Sequence, residues 1–495
     1  MAGVEDSSLW LGGLVQQRVA VIGAGWAGCA AAVAAVQQGW QVDVYEAAPH
    51  AGGRAKALAG AHAPNDADKA DTPNLDNGQH ILLGAYSACL SLMQTIGVDI
   101  HAKLLRCPLD LRDNQGRGFA LPSWASSNRS GHAPATATAL SGMKAWGHEV
   151  RMAAAAGWGV AVCSSWPIHA RVQLLWRLLG WRLRGFKCHS HATVADLCLG
   201  LHASVMQGFI EPLCVSALNL STSQASAALF LRVLKDALLS QHGSSDMLLP
   251  KCDLSTLLVE PCLRWLHQHH ALVHTGARVT GLLRMGGQWR VQTQTDKGSA
   301  DTTALYDHVI VATPAAQAAS LSWAHNTHWA NAAAALDHTA IATVYASSNS
   351  TSVHWRAPMV ALNGGLAQFA FNRTALLGGT ATVHVAAVVS DSGNGNGNGS
   401  GLTAIKNVSS RDDITHAVMQ QLRDEWPTAQ WQWTQTVVEK RACFACTPTA
   451  ARPVMGIAPH LWACGDYVAG PYPSTLEGAV RSGQAVVSAM AEASQ

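Results

Sequence analysis

Short apolar runs, most of them closed by glycine or proline, punctuate this chain and predict a framework of buried strands. Val19–Ile22 is β-branched and apolar at every position, as in a strand buried on both faces. Glycines follow at 23, 25 and 28, and the Ala-rich stretch from Trp26 to about Gln38 predicts a helix. Gln41–Tyr45 predicts a second strand, ending at Glu46. Arg278 and Val279 fall in a strand after the turn at Gly276, and Asp307–Pro314 (DHVIVATP) is another buried strand ending at a proline turn. His460–Gly465 (HLWACG) predicts a short strand, followed by Asp466, a loop with Gly470, Pro471 and Pro473, and a helix opening near Ser474 or Thr475. Residues 59–74 and 391–401 break the pattern as polar, flexible insertions without chemistry. No internal repeat is visible.

The first of these blocks carries chemistry. A buried strand, G-x-G-x-x-G at Gly23, Gly25 and Gly28, a helix, a second strand and an acid in sequence meet the conditions for a dinucleotide-binding βαβ unit. Gly23 permits the tight turn, Gly25 admits the pyrophosphate to the backbone, and Gly28 lets helix and strand pack closely. The helix N-terminus faces the diphosphate, and Glu46 is placed for the adenosine ribose hydroxyls.

Gly52, Gly53 and Arg54 follow the second strand and resemble the second fingerprint of the FAD-dependent amine oxidase and phytoene desaturase class. The C-terminal Gly465, Asp466, Glu477, Gly478, Ala479, Ser482 and Gly483 resemble the strand and E-G-A-x-x-S-G helix that close over the flavin in those proteins. The resemblance therefore implies FAD rather than NAD as cofactor. It counts Gly53, Arg54, Gly465, Asp466 and Glu477 among the residues that hold FAD, with the strand at Val279 laid against the adenine.

Length and composition agree. A chain of 495 residues has room for more than one domain and a buried cofactor. A net charge of +2 supplies no field for nucleic acid. Charged residues make up only 13% while Trp numbers 18, so an apolar surface is expected somewhere. With Glu5 and Asp6 near the start, no signal peptide is read, and no apolar run reaches the roughly 18 residues of a membrane span. The expectation is a cytoplasmic protein, or one peripheral on the inner face of the cytoplasmic membrane. The 12 cysteines read as reduced, buried thiols, and neither Cys443-x-x-Cys446 nor His267, His269 and His270 makes a metal site.

Further blocks resemble the squalene-associated FAD-dependent desaturases, the hydroxysqualene dehydroxylases of the bacterial hopanoid pathway. They are Asn77–His80 with Leu82–Tyr86; Pro212–Asn219 with Ala225–Leu238; and Leu248–Leu257. Gln368, Phe369, Phe371 and Arg373 form another, followed by Glu439–Pro448 with Arg452 and Pro453, and by Leu476–Gly483. Departures are Tyr467, where the family more often has Trp, the Pro-Tyr-Pro at 471–473, and the two insertions.

The resemblance implies an α/β fold: a discontinuous Rossmann-type FAD-binding domain with a second α+β substrate domain. The FAD domain would comprise 16–95, 245–320 and 432–495, and the substrate domain 96–244 and 321–431. The implied reaction removes the hydroxyl of hydroxysqualene with hydride from reduced flavin, giving squalene. A carotenoid-type desaturase and a flavin amine oxidase share the scaffold and stay open as alternatives. No second G-x-G-x-x-G is present, so an external electron donor is expected.

Such chemistry needs a proton donor for the leaving hydroxide and an electron-rich pocket for an allylic cation. His80 and Asp76 are the candidate acids, and Tyr86, Phe369, Phe371, Tyr467 and Tyr472 offer aromatic faces, Tyr467 being counted with the catalytic residues. Arg373 and Arg441 read as structural, with Glu439 as a partner. Finally, 168–187 places Val172, Leu175, Trp176, Leu179, Leu183 and Phe186 on one helical stripe, with Arg171, Arg177, Arg182 and Arg184 elsewhere. This suits an interfacial membrane helix or a core helix with snorkelling arginines.

Overall fold

The computed structural model describes residues 17–58, 74–127, 141–238, 240–295, 298–350, 353–378, 382–390 and 410–493. The segments 59–73 and 391–401 that the sequence marks as insertions lie outside these residues, as do Glu5 and Asp6.

Strand β1 (Arg18–Ile22) enters helix α1 (Trp26–Gln37), and β2 (Gln41–Tyr45) returns beside β1 in parallel. Strands β3 (Leu272–His274), β4 (His308–Val311) and β6 (Leu461–Ala463) extend the parallel sheet, and β5 (Gly456–Ala458) adds an antiparallel edge. The order is β5-β6-β4-β1-β2-β3, so the sheet is assembled from three separate parts of the chain. Its inner strands are buried at nearly every position, which is why they read as unbroken apolar runs.

Helix α1 is apolar all round because it is enclosed between the sheet and the C-terminal helix. Its close fit rests on small residues. A Cβ on Gly28 would stand 1.9 Å from the Gly23 carbonyl oxygen, and one on Gly483 would stand 2.3 Å from that of Ala27. Gly23 has φ +107°, which admits the turn that a side chain would strain.

Beyond this layer, α2 (Ser87–Thr95) starts at Tyr86, whose side chain makes no capping bond. Helices α3 (Ser141–Ala161) and α4 (Ile168–Leu183) pack together on the outside of the molecule. Helix α5 (Leu476–Ala493) closes the chain against α1 and α2.

A second, fully antiparallel sheet runs in the order Met359–Ala361, Phe369–Asn372, Val383–Ser390, His338–Ser348, Gln432–Phe444. Here the boundary expected at 432 is corrected. Gln432–Phe444 pairs along His338–Ser348 and belongs to this sheet, so the return to the cofactor sheet comes after Phe444. A three-stranded meander, Arg278–Met285, Gln288–Thr295 and Gly298–Tyr306, rises from the cofactor sheet. No helix among the described residues is long and apolar enough to cross a membrane.

Candidate active site and cofactor cavity

A cavity of about 790 Å³ opens at the carboxyl ends of β1, β2, β4 and β6, the place where open parallel sheets bind ligands. At one end stands Glu46. Its Oε2 accepts from the Ala24 N–H at 2.8 Å and its Oε1 from the Ala48 N–H at 2.9 Å, so the carboxylate is pinned, each oxygen keeping a further lone pair. Arg278 and Val279 line the same end.

Along the floor, Gly23, Gly25 and Gly53 expose backbone. A Cβ on Gly25 would meet only the Gly53 Cα, at 3.7 Å, with open cavity beyond, while Gly53 has φ +62° and would bring its own Cβ to 3.2 Å of the Gly25 Cα. The two glycine loops therefore touch backbone to backbone, which any larger side chain would prevent.

Arg54 and Asp466 meet across the cavity, Nη2 to Oδ1 at 2.5 Å, and Arg54 also donates to the Ala442 carbonyl at 2.7 Å. The Asp466 carboxylate raises the pKa of the guanidinium, which stays charged. Gly465 donates its N–H to Ser482 Oγ at 3.1 Å, and α5 starts beside the cavity with Thr475 Oγ1 accepting from the Gly478 N–H. Three buried polar atoms on lining residues have no partner among the described residues: Asn219 Oδ1, Thr313 Oγ1 and the Tyr467 hydroxyl. A bare glycine floor, an arginine–aspartate pair and unpaired polar atoms fit a nucleotide-bearing cofactor with many hydroxyl and phosphoryl groups.

The candidate catalytic residues divide. His80 lines the cavity, and its Nδ1 lies 2.8 Å from the Gly78 carbonyl oxygen. A carbonyl only accepts, so Nδ1 carries the proton. Burial lowers the His80 pKa, which leaves the ring neutral with a bare Nε2, suited to accept rather than donate. Asp76 is corrected more sharply. It is absent from the cavity lining, buried beneath it, with Oδ1 accepting from the Leu254 N–H at 2.9 Å and Oδ2 4.0 Å from Arg373. Burial lifts its pKa to about 7.

Tyr467 lines the cavity with its ring, and its buried hydroxyl has no hydrogen-bond partner among the described residues. Such an unpaired group costs about 1–3 kcal/mol, a cost a ligand could relieve. Burial raises its pKa well above the usual phenol value, so the proton stays on.

Glu477 is the other correction. It is fully buried and absent from the cavity lining. Its Oε1 and Oε2 accept from the Ala88 and Cys89 N–H groups at 3.0 Å, and Arg481 Nε donates to Oε1 at 2.6 Å. Its carboxylate thus caps α2, which has no cap of its own, and attracts the positive end of that helix dipole. Glu439 accepts from Asn77 Nδ2 and from the Arg441 N–H rather than pairing with a guanidinium. Buried Arg373 donates to Gln79 Oε1 and the Asn74 carbonyl and sits 5.2 Å over the Tyr345 ring, a structural role.

Beyond Ile81, Tyr86 and Phe369, which line both spaces, lies a smaller chamber of about 110 Å³. Its walls are Leu109, Leu111, Leu213, Leu229, Val233, Met247 and Met359. A polar group also lines it: Tyr472 donates to Asp236 Oδ2 at 2.8 Å, and Arg232 pairs with the same oxygen at 2.9 Å. Phe371 and Tyr467 line the larger cavity, so the five aromatic residues singled out in the sequence surround one continuous region. Thr313, Asn219 and the Arg232–Asp236 pair were not singled out as site residues. Only Asn219 had a local signal, the left-handed conformation (φ 51°) that asparagine tolerates after a helix.

The family model for flavin-containing amine oxidoreductases matches residues 26–491. The chain belongs to that family. Its cofactor is FAD, in keeping with the cavity. Among curated relatives, a hydroxysqualene dehydroxylase of Sinorhizobium fredii is 24% identical over 94% of this chain and 96% of its own. One from Rhodopseudomonas palustris is 26% identical over 95% and 97%. Among solved structures, cyclohexylamine oxidase from Brevibacterium oxydans IH-35A superposes with a TM-score of 0.59 at 15% identity, covering 97% of this chain and 99% of that one. An oxidoreductase from Methanosarcina mazei gives 0.64 at 14% identity, covering 95% and 100%. These structural likenesses establish the family's fold and parallel-sheet core for this chain.

Proposed function

We propose that this flavoprotein removes the hydroxyl of hydroxysqualene reductively to give squalene, a step of squalene and hopanoid biosynthesis. One observation carries the reading: the cofactor cavity adjoins a chamber walled by Leu, Val, Met and Phe, which suits an isoprenoid chain and has no free acid for a polyamine. The two dehydroxylase relatives, alike over nearly the full length of both chains, support it.

In this reading Glu46 holds the ribose end of FAD, Val279 lies at the adenine, and Gly23, Gly25, Gly28 and the first turn of α1 form the pyrophosphate turn. Gly53, Arg54, Gly465 and Asp466 hold the remainder. Bound and reduced, FAD supplies the hydride that replaces the hydroxyl, and an external donor must supply its electrons. In the overall change a C–O bond breaks, a C–H bond forms, and the hydroxide takes a proton and leaves as water.

The chain's own residues govern the carbon and the proton. Apolar walls keep water from the substrate carbon, and Tyr86, Phe369 and Phe371 present π faces to developing positive charge. We assign Tyr467 as the hydrogen-bond donor to the departing oxygen, since it alone of the three candidate catalytic residues both lines the cavity and has a free O–H. A substrate of this kind partitions into bilayers, which supports reading the enzyme as a cytoplasmic protein peripheral on the inner face of the membrane.

The test is anaerobic single turnover. Hydroxysqualene mixed with photoreduced holoenzyme is expected to restore the oxidised flavin spectrum, with deuterium from the reduced cofactor appearing in squalene at the carbon that lost oxygen. Tyr467→Phe is expected to slow this step by about a hundredfold, the scale of a lost proton-donating group, and His80→Ala by less than about tenfold. Desaturation is the second reading, kept open by the shared scaffold; a zeta-carotene desaturase of Zea mays is 34% identical over 82 residues, 17% of this chain. Should phytoene reduce the oxidised flavin while hydroxysqualene leaves the reduced form untouched, desaturation replaces dehydroxylation; a polyamine doing so would indicate amine oxidation.

A further inference from the structure

Helices α3 and α4 turn an apolar surface outward. On α4 the exposed large apolar residues are Ile168, Val172, Trp176, Leu179 and Leu183. At about 100° per residue they fall within an arc of about 80°. Ile168, Trp176 and Leu183 are 75%, 70% and 79% exposed, while Ala170, Leu174 and Trp181 carry the opposite face into the core. The stripe read from the sequence is therefore not a core face, although Leu175 and Phe186 pack inward. Helix α3 adds Val150 and Trp158, and Val162 just beyond its end is exposed too.

Charge is equally one-sided here. Between residues 148 and 191 a single carboxylate, Glu149, accompanies Arg151, Arg171, Arg177, Arg182, Arg184 and Lys187, in a chain whose net charge is only +2. By helix geometry Arg171 and Arg182 flank the α4 stripe on one side, about 40–60° beyond its edge, while Arg177 and Arg184 lie about 80–100° beyond the other edge, toward the packed face. Two are held in place: Arg171 donates to the Trp166 and Ala161 carbonyls at 2.8 Å, and Arg177 to the Leu199 carbonyl at 2.8 Å. An apolar surface that carries Trp158 and Trp176, with Arg171 and Arg182 along one edge of its stripe, complements a bilayer bearing anionic headgroups.

This face is also joined to the chamber. Helix α3 packs on Leu234–Leu238, which supplies Asp236, Ala237 and Leu238 to the chamber wall. We propose that the α3–α4 face docks the protein on bilayers rich in anionic phospholipid, with the stripe in the acyl boundary and the guanidinium groups at the headgroups. The docking brings the chamber to the phase that holds an isoprenoid substrate, a consequence that rests on the function proposed above.

Flotation of the holoenzyme with vesicles tests the docking without reference to turnover. Binding is expected to vesicles of equal parts phosphatidylcholine and phosphatidylglycerol, and to be much weaker to phosphatidylcholine alone. Trp176→Glu with Leu179→Glu should weaken binding about tenfold or more with flavin content unchanged. Ile168→Glu with Leu183→Glu, at the two most exposed positions, repeats the test independently of the first pair. Absence of binding to the anionic vesicles, or unchanged binding in both variants, overturns the proposal. So does light scattering that shows a dimer which both variants convert to monomer without vesicle binding, since the face would then join two copies. Failure to turn over detergent-dispersed hydroxysqualene, with vesicle binding intact, counts against the reaction and leaves the docking standing.

Discussion

Glu477→Ala separates a helix cap from a cofactor ligand. In the native fold the buried Glu477 carboxylate accepts the Ala88 and Cys89 N–H groups away from water, and the Arg481 guanidinium from a partly exposed side. The substitution leaves two amides without an acceptor, each costing about 1–3 kcal/mol when buried. Arg481 retains Ser87 Oγ at 2.8 Å and is partly exposed, so its share is smaller. A total of about 3–5 kcal/mol follows, the usual cost of removing one partner from a buried ion pair. At about 2 cal/mol/K per residue, the unfolding entropy of this chain is about 1 kcal/mol/K, so Tm should fall by about 3–5 °C if it melts as one unit. Near-UV circular dichroism melts at one fixed excess of FAD remove the binding contribution from the comparison. Flavin absorbance per protein should stay at the wild-type ratio, and Glu477→Gln, which can still accept one amide, should lie between. An unchanged Tm with loss of flavin would refute the cap and make Glu477 a cofactor ligand.

Other outcomes follow from the same geometry. Gly25→Val is expected to yield folded but colourless protein, because its methyl groups would occupy the space beside the Gly53 Cα where the pyrophosphate belongs; retention of flavin absorbance would contradict this. Asp76, with its pKa raised from the usual carboxylate range to about 7, binds a proton in the folded state that the unfolded chain releases above about pH 4. Its contribution therefore makes stability fall as pH rises from about 4 to 7 and levels off above, a total of about 4 kcal/mol. Asp76→Asn should flatten that part of a Tm–pH profile and exceed wild type at pH 8; an unaltered slope would show Asp76 ionised throughout.

The nucleotide-binding unit was legible from sequence alone because its parts are contiguous. Strand, glycine turn, helix, strand and Glu46 lie within residues 18–46, and the constraints on each act between near neighbours, such as Gly28 against the Gly23 carbonyl. The apolar stripe of α4 was legible for the same reason, since helical period is a local property. Its direction was not. Periodicity shows that one face is apolar, but only the packed molecule shows that Leu174 and Trp181 hold the core while Trp176 and Leu183 face outward.

The positions that sequence misassigned are those whose partners lie far along the chain. Glu477 caps a helix 388–389 residues away, and Asp76 meets Leu254 from 178 residues away. A carboxylate within a cofactor motif and a carboxylate beneath a cavity carry the same letter in the sequence. What distinguishes them is which N–H groups the fold brings within hydrogen-bond distance and whether water can reach them. Sequence alone thus determined the nucleotide-binding unit, and the tertiary structure decided which acids face the cavity, because burial and long-range pairing exist only once the chain has folded.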